Sequence, residues 1–384
     1  MMDVEKKKRA QSCITVALFC VFLFGFAIVT IAKPVSNYSE TENRMLKQMP
    51  ELKMETVLSG DFEADYEEYL SDQFVFRNQW IGMKTLAERL LFKRESKDIY
   101  FADDGYLIEK HTGVFDSEMA KENRMALAQF SEKYSREFNT GHMTVMIVPN
   151  AVDILSDKLP PFAPSCQEGD YLEQIAARLP EEVWLDAASV LRQHKEENLY
   201  YKTDHHWKTI AAFYVYREWA NKRGYGIPEL DDYEVKTATD SFEGTIQSKL
   251  GIRTPEDTIE LFLPKEEIAY TVSRDNAEKA NTLYDESALN TKDKYAVYFG
   301  GNQSFLQIET GAGTGRRILV IKDSYANCFI PFMLGEFDVI DVLDLRYSKQ
   351  RLSELIAGGE YTDLLVLYNA SGFAEDMSIS KILK

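Results

Sequence analysis

Arg317-Ile318-Leu319-Val320-Ile321, followed at once by Lys322-Asp323-Ser324, is a continuous apolar run that ends in a polar turn. Such a run fits a strand buried on both faces of a parallel sheet. Thr144 to Val148 (TVMIV), closed by Pro149-Asn150, reads the same way, and Phe337 to Val342 and Leu364 to Leu367 add two more. Glu182 to Leu185 and Tyr295 to Phe299, the latter ending in Gly300-Gly301-Asn302, read as shorter strands. Between them lie helical patterns: Met119 to Phe138, Tyr171 to Leu179, Ala187 to Glu197, Trp207 to Asn221 with Gly224 as its stop, and Tyr325 to Leu334 stopped by Gly335. Strands alternating with helices predict an α/β domain over residues 111–384, a parallel sheet with helices on both faces. Residues 226–293 break this rhythm. They are acidic, hold β-like pieces such as Thr258 to Leu263, and read as a β-rich insertion.

Upstream, residues 33–110 read as a stalk followed by a helical region. Residues 36–60 are polar and broken by Pro50 and Gly60. Phe62, Tyr66, Tyr69 and Leu70, then Trp80, Met83, Leu86, Leu90 and Leu91, recur at helical spacing. Gly105-Tyr106 reads as a turn between two short strands.

Cys13 to Ala32 is a run of 20 residues without a charge. At about 1.5 Å per residue it reaches about 30 Å, the thickness of a bilayer core. It exceeds the apolar core of a cleaved signal, and Lys33-Pro34 follows it without a clear cleavage site. Lys6, Lys7, Lys8 and Arg9 precede it. Positive flanks stay in the cytoplasm. The pattern predicts a cytoplasmic tail at 1–12, a single-pass signal anchor at 13–32, and an extracytoplasmic remainder.

The 384 residues carry a formal net charge of −18 and are 45% hydrophobic. That hydrophobic share suits folded domains and excludes wholesale disorder. The first 12 residues are net +2, so the remainder carries −20. Such a surface argues against nucleic acid as a partner, since phosphate binding needs a basic face. Four cysteines without a CxxC pair fit neither a disulfide scaffold nor a zinc ribbon. Cys13 and Cys20 lie in the anchor. Cys166 and Cys328 lie beyond it, where a disulfide is permitted but its pairing cannot be read from sequence.

Two segments carry chemistry. Thr203-Asp204-His205-His206-Trp207 holds two of the five histidines. Asp204 and His206 are two apart, so in an extended segment both point to one side. An aspartate bonded to one ring nitrogen fixes the tautomer and leaves the other nitrogen as a base. The second segment is Lys322-Asp323-Ser324, at the carboxyl edge of a strand, where ligands bind in parallel sheets. Ser324 there is a nucleophile candidate or simply a helix cap. Asp204, His205 and His206 also read as a metal-binding cluster or as a satisfied polar cluster.

The TDHHW string resembles the signature of the DHHW proteins of bacterial cell envelopes. The flanking strings agree: SETENRMLKQMPEL, DQFVFRNQW, TVMIVPN, SFEGTIQSKLG, YFGGN and KDSYAN. The order of motifs is also similar to the SGNH-hydrolase-like proteins that O-acetylate alginate. It inverts the order of ordinary SGNH hydrolases, whose serine comes early. The resemblance implies an SGNH-like fold and a Ser324/His206/Asp204 triad without metal or other cofactor. It implies an O-acetyltransferase or esterase acting on a cell-envelope polysaccharide, with a multi-pass membrane acyltransferase as acyl donor. The oxyanion would be held by the Ser324 N–H with Gly301 or Asn302. Arg346, Tyr368 and Asn369, just past strands, are candidates to orient substrate or equally to form a surface ion pair or loop hydrogen bonds. A non-catalytic, membrane-tethered glycan-binding or assembly protein is the alternative reading.

Overall fold

In the computed structural model, described for residues 2–39, 44–138, 140–275 and 279–383, the long apolar runs become one six-stranded sheet. We number its strands β1 (Met143–Val148), β2 (Tyr270–Arg274), β3 (Phe305–Thr310), β4 (Arg317–Lys322), β5 (Val339–Leu343) and β6 (Asp363–Asn369). Their order across the sheet is β1-β6-β4-β5-β3-β2. The first four are mutually parallel. Val145, Val366, Ile321 and Leu343 form one row across them and face one apolar core. Leu365, Val320 and Val342 in the adjacent row face the other. Burial on both faces explains why these strands read as continuous rather than alternating apolar runs.

The sheet is mixed, not wholly parallel as expected. β3 runs antiparallel to β5, and β2 antiparallel to β3. Only residues 311–316 join β3 to β4. A parallel crossover needs a dozen residues or more, so β3 must run the other way. β2 comes from the segment expected as an insertion, which therefore completes the sheet edge. The rest of that segment contributes Tyr233–Phe242, paired antiparallel with Asp257–Pro264.

Three further expectations are corrected. Tyr295 to Phe299 is not a strand but follows a single 3-10 turn, Lys294–Val297. Phe299 and Gly300 take positive φ (63° and 75°), through which no strand continues. Glu182 to Leu185 makes one bridge to β1 and no strand. The N–H groups of Val183 and Trp184 turn back to the Pro180 carbonyl. Tyr325 to Leu334 is two 3-10 turns rather than an α-helix. Pro331 interrupts it, lacking a donor and crowding the preceding turn. The other helices form close to their expected ranges, among them Glu118–Glu137 and Thr209–Arg223, the latter closed by Gly224 at φ 71°.

Two compact units divide the chain: residues 1–91 with 249–252, and residues 92–248 with 253–384. The boundary expected near residue 110 thus falls at Leu91, and the hairpin of Ile99–Phe101 with Leu107–Glu109 belongs to the α/β unit. The first unit holds the helix Met2–Ala32, of which Lys6–Ala32 is long and apolar enough to cross a membrane or serve as a signal anchor. It also holds Asp61–Gln73 and Arg77–Leu90, and Arg44 grips the buried Asp72 bidentately at 2.9 and 2.6 Å. Of the expected stalk, Glu40 to Asn43 lie outside the described residues.

Candidate active site

β4 ends at Lys322 and the chain turns through Asp323, whose buried carboxylate organises the turn. One oxygen accepts the Tyr325 N–H at 2.8 Å. The other accepts both the N–H and the Nδ2–H of Asn369, at 2.8 and 2.6 Å, at the end of β6. Gly372 is required beside them: a Cβ there would stand 2.4 Å from Asn369 Nδ2. Ser324 is thereby fixed at the carboxyl edge of the sheet.

The Thr203–Trp207 loop is held by another carboxylate. Asp257 accepts the N–H groups of Lys202 and Thr203 at 3.1 and 2.8 Å and the Thr203 hydroxyl at 2.7 Å. The two segments then lock together directly. Trp207 Nε1 donates to the Tyr325 carbonyl at 2.9 Å, and the Tyr325 hydroxyl donates to the His205 carbonyl at 2.6 Å. Trp207 is fully buried and stacks on Tyr325.

Asp204, His206 and Ser324 meet at this junction. Asp204 Oδ1 lies 2.5 Å from His206 Nδ1, and His206 Nε2 lies 2.8 Å from Ser324 Oγ. An ionised carboxylate only accepts, so Nδ1 carries the proton and Nε2 presents its lone pair to the serine. Asp204 Oδ1 also accepts the His206 N–H, and Oδ2 accepts the N–H and hydroxyl of Thr245 at 2.8 and 3.0 Å. Burial would push Asp204 up, but the two imidazoles and these hydrogen bonds outweigh it and hold the group well below the usual carboxylate range. Burial, helped by the neighbouring His205 charge, pushes His206 down to about 4 against the pull of Asp204. The imidazole is therefore neutral near pH 7 and able to take the serine's proton. Tyr295 stacks on its face at 3.8 Å between ring centroids.

A buried cation lies beneath the same turn. Lys322 Nζ reaches Asn302 Oδ1 at 3.1 Å, Asn327 Oδ1 at 3.0 Å and Asp344 at 3.6 Å. Burial pulls its pKa down, to about 8. Asp344 also holds Arg346 bidentately at 2.9 and 2.6 Å. Arg346 keeps a third of its side chain exposed, and its charge reaches both His206 and Asp323.

The residues picked from sequence thus separate into groups. Asp204, His206 and Ser324 come together, and Asn302 and Arg346 sit around the same turn. The Gly301 N–H donates to the Tyr298 carbonyl at 3.1 Å, so it is not free for an oxyanion. Tyr368 is fully buried against Phe373 in the core and does not face a substrate. Asn369 braces Asp323 and caps the following helix through Gly372, instead of orienting substrate. Cys166 and Cys328 remain separate thiols, pushed up to about 12 by burial. Sequence reasoning missed Thr245, Tyr295, Asp257 and the bracing role of Asp323. Thr245 lies inside the quoted SFEGTIQSKLG string, which was its only signal.

Ligand atoms of Asp204, His205 and His206 lie within 4.8 Å of one another, a spacing that could hold a metal ion. The donors fit poorly, because both Asp204 oxygens and both His206 nitrogens are already committed within the protein. His205 Nδ1 is bonded to Thr245 Oγ1 at 3.0 Å.

The crystal structure of a DHHW family protein from Eubacterium siraeum aligns at 22% identity and TM-score 0.62, covering 75% of this chain and 95% of that one. Bacillus cereus PatB1 with a sulfonyl adduct aligns at 22% identity and TM-score 0.58, covering 74% and 100%. The O-acetyltransferase domain of Pseudomonas putida AlgJ aligns at 12% identity and TM-score 0.46, covering 74% and 98%. No curated protein matches in sequence. The family profile described as DHHW protein matches residues 131–343, more than half of the chain and the whole stretch from before the TDHHW loop to β5. On that match, the chain belongs to the DHHW protein family.

Proposed function

We propose that this protein is a membrane-anchored, extracytoplasmic serine O-acyltransferase or esterase that acts on a cell-envelope polysaccharide. The observation that carries the reading is the chain from Asp204 Oδ1 through His206 to Ser324 Oγ, at 2.5 and 2.8 Å. An ionised acid, a neutral base of fixed tautomer and a hydroxyl stand in the order that acyl transfer needs. His206 takes the Ser324 proton as Oγ attacks an acetyl ester. The Ser324 N–H has no hydrogen-bond partner among the described residues and supplies one donor for the oxyanion. Asn302, whose Oδ1 is tied to Lys322 beneath the same turn, is the candidate for a second donor. Collapse of the tetrahedral intermediate expels the first alcohol with the proton from His206. A sugar hydroxyl, or water, then attacks the acetyl-serine with His206 again as base. Arg346, a third of whose side chain is exposed, orients the glycan.

The anchor reading of residues 13–32 places the site outside the cytoplasm, with Lys6 to Arg9 inside. Acyl groups then come from a multi-pass membrane acyltransferase. The test is turnover of p-nitrophenyl acetate by the full chain in detergent, with and without glycan acceptors. Cleavage and glycan acetylation lost together in Ser324→Ala support the reading. Cleavage or acetylation unchanged in Ser324→Ala would overturn it. Glycan binding that persists without any turnover would favour the tethered binding protein.

A further inference from the structure

The helix Arg77–Leu90 is built inside out. Its buried residues are Gly82 and Thr85. Thr85 Oγ1 donates to the Leu250 carbonyl at 2.8 Å, and a Cβ on Gly82 would stand 2.3 Å from the Gly251 oxygen. The adjoining face, which begins at Leu86 four residues after Gly82, is apolar and open. Met83, Leu86 and Leu90 are 51%, 52% and 80% exposed. At about 100° per residue they fall within one narrow stripe. Lys84 and Arg89 flank that stripe on its two sides. In a chain of net charge −18, this helix carries three basic residues against one acidic.

The same segment lies against the apolar N-terminal helix. Trp80 meets Phe22 and Phe26 at 6.1 and 5.4 Å between ring centroids, and Phe74 stacks on Phe26 at 6.3 Å. The Val75 N–H donates to Thr30 Oγ1 at 3.3 Å. Phe26 and Phe22 are six and ten residues before Ala32, so about 9 to 15 Å inside the apolar run. If that run spans the bilayer, Phe74 and Trp80 stand at the depth of its outer leaflet.

We propose that Arg77–Leu90 is an interfacial helix, lying in the membrane surface with Met83, Leu86 and Leu90 in the acyl region and Lys84 and Arg89 among anionic headgroups. An apolar stripe with basic flanks is the pattern of such helices, and the long basic side chains reach up to the phosphates. The helix thus adds a second membrane contact to the single span and holds the first unit at the bilayer surface. The proposal rests on the anchor reading of residues 13–32.

The test keeps the two claims apart. The full chain is placed in nanodiscs of phosphatidylcholine and phosphatidylglycerol that carry diazirine-labelled acyl chains. After illumination, lipid adducts are mapped by peptide mass spectrometry. The expected result is adducts on both 13–32 and 83–90, with the second set reduced roughly tenfold in Leu86→Asp/Leu90→Asp. Both side chains are exposed, so this double substitution leaves the packed face intact. Adducts on 13–32 alone would overturn the interfacial helix and leave the anchor standing, pointing to a protein partner for the stripe. Adducts on neither segment would overturn both.

Discussion

Two buried aspartates organise the two segments that meet at His206 and Ser324, and their charge balance is opposite. Asp204 accepts four hydrogen bonds and faces two imidazoles, so it is held ionised. Asp323 accepts three N–H groups, but burial outweighs them and pushes its carboxyl up. Asp204 fixes the ring of His206, the base of the proposed reaction. Asp323 holds backbone. The contrast teaches that residue type alone does not assign a role: what the carboxylate faces does. Loss of Asp204 should damage chemistry first, and loss of Asp323 should damage architecture first.

The largest effect is expected at the point where both segments converge. Ser324→Ala should lower ester turnover by about 10³-fold or more while leaving thermal stability nearly unchanged. Circular dichroism melts beside p-nitrophenyl acetate kinetics check this. Asp204→Asn should lower kcat by about 10²–10⁴-fold, because the amide can no longer fix the His206 tautomer or stabilise the imidazolium. Asp323→Asn should instead destabilise the fold by about 1–3 kcal/mol, because an amide cannot accept on both of its ends. Its kcat should fall less than that of Asp204→Asn.

The pH dependence sharpens the comparison further. The folded state depresses the Asp204 pKa, so the unfolded chain takes up this proton first on acidification. The stability that Asp204 contributes is present above its ordinary pKa and is lost as pH falls. At Asp323 the folded pKa is raised, so the folded state binds the proton first and stability falls as pH rises. Denaturation of wild type and each Asn variant, carried from about pH 2 to pH 8, should give a difference curve that rises with pH below about 4 for Asp204 and one that falls with pH above about 4 for Asp323. Curves of the same slope would erase the distinction. The smallest effect is expected at His205, whose charge helps to hold His206 down. His205→Gln should move the acid limb of kcat/KM upward, toward the ordinary histidine range, with the plateau rate little changed.

The sequence carried the buried strands because they are sealed on both faces. TVMIV and RILVI leave no polar alternation to confuse the reading, and the rows through Val145, Val366, Ile321 and Leu343 follow from that. It failed where a segment's fate depends on distant partners. Tyr295 to Phe299 has strand-like composition, yet packs as a single turn that brings Tyr295 over His206. Tyr368 and Asn369 read as lying just past a strand, where ligand-binding residues often sit, but they are the last two residues of β6, and their neighbours Phe373, Gly372 and Asp323 draw them inward. Asp204, His206 and Ser324 were legible as a set because the resemblance joined two motifs 118 residues apart. The Asp257 and Thr245 clamps were not, since a hydrogen bond to a loop backbone leaves no spacing to read.

The most direct test of the account is an intact-mass and peptide-mass measurement on the full chain after brief exposure to an acetyl ester or an aryl sulfonyl fluoride. Either reagent is captured by an activated serine as a covalent ester. The account predicts one adduct, on Ser324, absent in Ser324→Ala and strongly reduced in His206→Ala with both variants folded. An adduct on another residue, or equal labelling in His206→Ala, would contradict a serine activated by His206.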